Sequence, residues 1–276
     1  MSTVTDTPPT ATTATSAGKG KVTQLRVINS EWIKLRTLRS TPITLLIAVV
    51  IMVGLGLLIT YVHATHPNPG RDQGGINGAE LSLVMYHLAQ LAIGVLGVLI
   101  VSGEYSTGMI RASLSAVPKR LPVLWAKALV YGVVVLVLMT VSCLVAFYAG
   151  QAILSSHHEN VSMSDPGVAR VVFGTALYLT VVGLLGIALG SLLRNAAGAI
   201  AVLFGVMLVL PGLADLLPAS WTPHIVPYLP SNAGGALLSV VPDPTSMAPW
   251  NGFALFVGYA VVLLGLAAVL MKRRDA

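Results

Sequence analysis

From Ile43 to Val62 the chain runs about twenty residues without a single charge. A helix of that length, at about 1.5 Å per residue, matches the roughly 30 Å hydrocarbon core of a bilayer. Such a run constrains everything around it, because lipid offers the backbone no hydrogen bonds and so admits helices or closed barrels only. Five more apolar runs follow, at Leu81–Ser102, Leu124–Ala149, Val171–Leu193, Ala196–Leu213 and Asn251–Met271. Charged residues make up 9% of the chain, against about 25% in a soluble domain. The expected fold is an all-α integral membrane protein of six transmembrane helices.

The segments between the runs carry their own signals. Met1–Gly20 is rich in Thr, Ala, Pro and Ser and reads as a disordered cytoplasmic tail, not a signal peptide. In Lys21–Arg39, Leu25, Ile28, Trp32 and Leu35 recur at helical spacing. Lys21, Arg26, Lys34, Arg36 and Arg39 supply the polar side. This predicts an amphipathic interface helix over 21–40, lying on an anionic membrane surface. Thr41-Pro42 then fits the start of the first span, with Thr41 as N-cap, and residues 41–276 form the six-span domain. His63–Glu80 is rich in Gly, Pro and Asn and reads as a loop. His87 and Gln90 fall near the start of the second span, where a His reaches the headgroup region more often than it relays protons. Lys127, near the start of the third, can snorkel.

Gln151–Arg170 reads as a polar loop. His157-His158-Glu159 lacks metal-ligand spacing, and Asn160-Val161-Ser162 is a formal glycosylation sequon. Cys143 has no partner for a disulfide and reads as a packing residue. Gly183, Gly186 and Gly190 line one side of the fourth span, a face that lets another helix come close. Ala214–Trp250 is rich in Pro and has no Lys or Arg. Its middle, Tyr228–Val240, is too apolar for a plain loop and too short to span, which suggests external re-entrant helices.

Sixteen Lys and Arg face ten Asp and Glu, yet this excess does not point to nucleic acid. The cations flank apolar runs and form no aromatic-interleaved patch. All but Arg71 and Arg170 fall on one set of segments: the N-terminal stretch, the connection between spans two and three, the Arg194 break and the C-terminal tail. By the positive-inside rule both termini are expected to be cytoplasmic, and the expected location is the plasma membrane. The chain has no Walker A motif, no HExxH and no GxSxG. No Asp, Glu, Lys or Arg stands at the centre of a span, as a proton-coupled transporter requires. It does not read as an enzyme, and any work it does must be powered from outside.

Four stretches together resemble ABC-2 type ABC transporter permease subunits, particularly those of actinobacterial type. They are EWIKLRTLRST (31–41), GEYSTGMIRASLSAVPKRLPVLWAKAL (103–129), LGSLLRNAAGAIA (189–201) and YLPSNAGGALL (228–238). The resemblance implies an ATP-driven exporter subunit that forms the substrate pathway with a second permease subunit, as a homo- or heterodimer in membrane lipid. A separate ABC ATPase would bind ATP and Mg, so this chain needs no cofactor of its own. The resemblance also implies a cytoplasmic coupling helix between spans two and three, with Glu104, Tyr105, Gly108 and Arg111 in or beside it. Trp32, Lys34, Arg36 and Arg39 would lie on the interface helix. The alternative is a non-transporting sensor, anchor or immunity protein, which would act without an ATPase.

Overall fold

A computed structural model describes residues 23–38, 40–66, 77–106, 120–214, 216, 218 and 220–273. The N-terminal tail, Arg39, the 67–76 loop and the 107–119 connection with Gly108 and Arg111 lie outside the described residues. So does the tail 274–276. Within the described residues the chain is helical, with six helices long and apolar enough to cross a membrane. These are span 1 (Ser40–Thr65), span 2 (Gly78–Tyr105), span 3 (Leu121–Ser155), span 4 (Val168–Leu193), span 5 (Ala196–Ala214) and span 6 (Pro249–Arg273).

An amphipathic helix, Gln24–Thr37, precedes them. It ends where Leu38 turns extended, and span 1 begins at Ser40. Thr41 is therefore already helical and buried, not the cap that the sequence suggested. Pro42 falls in the first turn, where the missing N–H costs nothing.

Span 4 is the central post. In its most apolar stretch 72% of residues are buried, against 17% in span 5 and 22% in span 6. That difference follows from composition. Span 4 buries glycines and large side chains alike, such as Gly174, Gly183, Tyr178 and Leu179, whereas spans 5 and 6 keep apolar side chains such as Val209, Leu213 and Val261 outward. Outward-facing Leu and Val need no partner when the solvent is lipid. The core around span 4 is filled by fully buried Tyr131, Phe147, Tyr178, Phe256 and Met52. Cys143 is buried among them.

Two spans carry a wider turn at mid-length. Val50–Leu55 in span 1 and Gly205–Val209 in span 5 are π-helical. Span 2 is interrupted too, with a turn at Val84-Met85 between Gly78–Leu83 and Tyr86–Ser106. Asn77 caps its start by accepting the Ala79 N–H at 2.9 Å.

Span 3 is longer than its apolar run predicts, because Arg120–Ser155 is one continuous helix. Gln151, expected in a loop, lies inside it and is buried. Its amide donates to the Gly78 carbonyl (3.0 Å) and the Ser82 hydroxyl (3.1 Å), and its carbonyl accepts the Val161 N–H (2.8 Å). One side chain thus ties span 3 to the start of span 2 and to the loop that follows.

Candidate functional site

At one end of the bundle four charged side chains from three segments meet. Glu31 comes from the amphipathic helix, Lys34 from the next turn of the same helix, Glu104 from the end of span 2 and Lys127 from the start of span 3. Lys127 Nζ lies 2.7 Å from Glu31 Oε2 and 3.0 Å from Glu104 Oε1. Lys34 Nζ lies 2.7 Å from Glu31 Oε1 and 3.2 Å from the same Glu104 oxygen. Glu31, Glu104 and Lys127 are almost wholly buried, and Lys34 is partly exposed. Two acids and two bases cancel, which is the condition for keeping charge out of water.

The local sequence places these groups by helix geometry. Val27 and Glu31 are one turn apart, and both are buried against span 3. The sequence had laid the stripe of Leu25, Ile28, Trp32 and Leu35 on the membrane surface, and of these Ile28 and Leu35 pack partly against the bundle. In the structure Trp32 and Leu25 are exposed, and the helix is turned so that Glu31 points into the bundle. The reason is energetic. Burying Leu25 in a lipid-facing position gains little where lipid already solvates it, while an ionic contact at the membrane boundary gains strength as water is excluded. Arg36 is exposed on the same helix. Lys127 does not snorkel to the surface, because two carboxylates hold it inside.

Burial pushes the Glu31 carboxyl upward, but the ammonium groups of Lys127 and then Lys34 outweigh it and hold it below the usual carboxylate range. Burial likewise lowers Lys34, and the bond to Glu31 and the charge of Glu104 reverse this and raise it. Both groups are thus held in their charged forms. One atom stands apart. Glu104 Oε2 is buried and has no hydrogen-bond partner among the described residues. A small cavity of about 20 Å³ adjoins the cluster, bordered by Leu35, Leu38, Ile100 and Val130.

Next to Glu104, Tyr105 lies under the Arg194 guanidinium, 5.0 Å from ring centre to Cζ. Arg194 ends span 4 in a left-handed conformation (φ 53°), and Asn195 caps span 5 by accepting the Gly198 N–H at 3.0 Å. The end of span 2 therefore touches both the amphipathic helix and the span 4–5 junction. Of the residues read from the sequence for this region, the fold gathers Lys34, Glu104 and Tyr105 and leaves Trp32 and Arg36 outside the cluster. Sequence reasoning missed Glu31 as a partner. A usable signal was present: Glu31, Glu104 and Lys127 each stand at the same boundary of their apolar neighbours.

Above this cluster spans 2 and 4 interlock through glycine. A side chain at Gly186 would collide with the Gly94 carbonyl oxygen, and one at Gly97 with the Gly183 carbonyl. At Gly190 an added Cβ would come within 2.8 Å of the Val98 carbonyl. Gly94 and Gly97 complete the seam that Gly183, Gly186 and Gly190 begin. Tyr131 of span 3 closes its side, donating to the Ile93 carbonyl at 2.6 Å.

The opposite end is fastened differently. Arg170, expected in a loop, belongs to span 4, and its guanidinium donates to the carbonyls of Ser239 (2.9 Å) and Val240 (3.0 Å). Glu80 accepts the Val240 N–H. Together they pin the stretch after Pro230–Gly235 onto the bundle. Beside it opens a cavity of about 420 Å³. Among the described residues no group of three His, Cys, Asp or Glu is placed to hold a metal ion. His157 and His158 are exposed, and His63 Nε2 lies 4.0 Å from Glu159.

Six uncharged helices with ionic groups confined to their ends define a multi-pass membrane protein. Residues 27–212, more than half of the chain, match the family described as ABC-2 family transporter protein. The chain belongs to that family, and it is an ABC-2 type permease, a transport component. No curated protein matches it.

Proposed function

We propose that this chain is the membrane-spanning subunit of an ATP-driven exporter, working with a separate cytoplasmic ABC ATPase and a second permease subunit. The supporting observation is the ion cluster. Glu104 and Lys127 stand at the two ends of the connection between spans 2 and 3, where the family resemblance puts the coupling helix. Glu31 and Lys34 join the amphipathic helix to both ends. A partner pressing on that connection would move spans 2 and 3 and the amphipathic helix as one unit. Span 4 would follow, since the glycine seam leaves it no room to slide against span 2.

In this reading Glu104, Tyr105, Gly108 and Arg111 serve the coupling element, and Trp32, Lys34, Arg36 and Arg39 the membrane and partner-facing helix. ATP and Mg are held by the ATPase. The Lys and Arg asymmetry supports a cytoplasmic side for the cluster end and both termini, in a protein of the plasma membrane.

The experiment is purification of the tagged chain from its native membrane, with mass spectrometry of what stays bound. The expected partner carries a GxxxxGK[ST] motif and gives vanadate-sensitive hydrolysis in the complex. Glu104→Gln should keep the partner and its hydrolysis while transport falls, and exposed Glu159→Gln should change neither. ATP turnover by the isolated chain, or transport undiminished in Glu104→Gln, would overturn the reading.

A further inference from the structure

The 420 Å³ cavity lies at the end of the bundle away from the ion cluster. Span 2 measures the separation. Tyr86 lines the cavity and Glu104 sits in the cluster, eighteen residues further along a helix that rises about 1.5 Å per residue. The volume falls within the range of small-molecule sites, about 300–1,000 Å³.

The walls have a consistent chemistry. Two aromatic rings, Tyr86 and Tyr178, meet edge to face at 5.6 Å. Tyr178 is buried, stacks on Phe256 at 5.1 Å and donates its hydroxyl to Gln90 Oε1 at 2.7 Å. The floor is therefore built and rigid before anything binds. Asn232 and His87 add polar edges. Asp243 is the one Asp, Glu, Lys or Arg among the described lining residues.

Asp243 is held as an anion by its own turn. Its Oδ1 accepts the Thr245 N–H and the Thr245 hydroxyl, each at 2.7 Å, and these bonds keep its carboxyl below the usual range. Arg170 and Glu80, one of each sign, both bond the Ser239–Val240 backbone, and neither lines the cavity. The sequence points the same way, because residues 214–250 contain Asp215 and Asp243 and no Lys or Arg. A cavity lined by aromatic rings and one fixed carboxylate attracts a weakly hydrated organic cation by ring quadrupole and by charge.

We propose that this cavity, walled by Tyr86, Tyr178 and Gln90 and edged by exposed Asp243, binds an amphipathic organic monocation. An inorganic cation would need more oxygen ligands than one carboxylate. An organic anion would meet Asp243 with nothing to compensate it. The site stands on the cavity itself and does not rest on coupling to an ATPase.

The test uses the full chain in nanodiscs and labelled tetraphenylphosphonium as the probe. Saturable binding is expected, and tetraphenylborate, of similar shape and opposite charge, should not displace it. Asp243→Asn keeps the acceptor for Thr245 and removes the charge, so binding should weaken by about two- to fivefold, the range for an exposed ion pair. Asp243→Lys should weaken it further, and Tyr86→Leu should weaken it with Asp243 intact. Displacement by tetramethylammonium, which stays in water, supports the site and assigns the cation's source to the aqueous phase. Displacement by dodecyltrimethylammonium alone supports it and assigns the source to the leaflet. Binding unchanged in both Asp243 variants, or displacement by neither ammonium ion, overturns the proposal.

Discussion

Replacing Lys127 by Met keeps most of the side chain's volume and removes its charge. Glu31 and Glu104 then share Lys34, which is partly exposed and 3.2 Å from Glu104. Breaking a buried pair in this way typically costs about 3–5 kcal/mol. The structure limits the cost, because one carboxylate can take up a proton instead. For a glutamate with an ordinary value of about 4.3, protonation at pH 7 costs about 3.7 kcal/mol at 1.36 kcal/mol per unit. Lys127→Met should therefore lose about that much stability at pH 7, a melting shift of roughly 10 °C. The loss should shrink by about 1.4 kcal/mol for each unit of acidification toward pH 5. Adding Glu104→Gln should recover much of it at pH 7, since no unpaired carboxylate remains at that position. The assay is tryptophan fluorescence melting of the detergent-solubilised protein across a pH series. A loss independent of pH, or a double variant no better than the single one, would refute the ionic account and leave only a packing defect.

Gly186→Val should destabilise the fold by about 1–3 kcal/mol or more, because its Cβ meets the Gly94 backbone and cannot be relieved by a rotamer change; the same change at Gly205, with open space around it, should be mild in the same melting assay. In a Cys143→Ala background, a cysteine at exposed Ser162 should react with an impermeant thiol reagent in intact cells, and one at exposed Thr37 only after permeabilisation. Wild-type melting should be flat with pH over the middle range. The share from Glu31, whose value is lowered from 4.5, is full above 4.5 and fades as pH falls through the lowered value. The share from Lys34, raised from 10.5, is full below 10.5 and fades as pH rises through the raised value.

The six spans were legible because an uncharged run of twenty residues has few alternatives, and the family followed from four short stretches in the right order. Boundaries were less so. Span 3 outruns its apolar stretch at both ends because helix continues wherever a polar side chain finds a partner, as Gln151 does with Gly78 and Ser82. The amphipathic helix was legible as a helix, but its inward face was not. Periodicity ranks residues by hydrophobicity, and nothing in that ranking knows that Glu31 will meet a lysine 96 residues away. Half of the glycine seam was visible in span 4. Its other half, Gly94 and Gly97, became meaningful only once span 2 was known to lie against it. The π turns left no sequence mark, since apolar residues fill them as readily as an α-helix.

The ion cluster also sets an order of assembly. Glu31 and Lys34 are three residues apart and can pair as soon as their helix forms. Lys34 can reach Glu104 once the second span is in place, 70 residues later in synthesis. Lys127 comes 23 residues after Glu104, and it is the second ammonium to bridge both carboxylates. Until it arrives, a two-span nascent chain carries an acid surplus at that boundary, with two carboxylates and one ammonium, and has reason to leave Glu104 hydrated at the membrane surface. Insertion of the third span delivers the missing cation and draws the end of span 2 inward. The third helix is thus the fastener of the N-terminal half, and a chain stalled before it would keep its amphipathic helix only half attached.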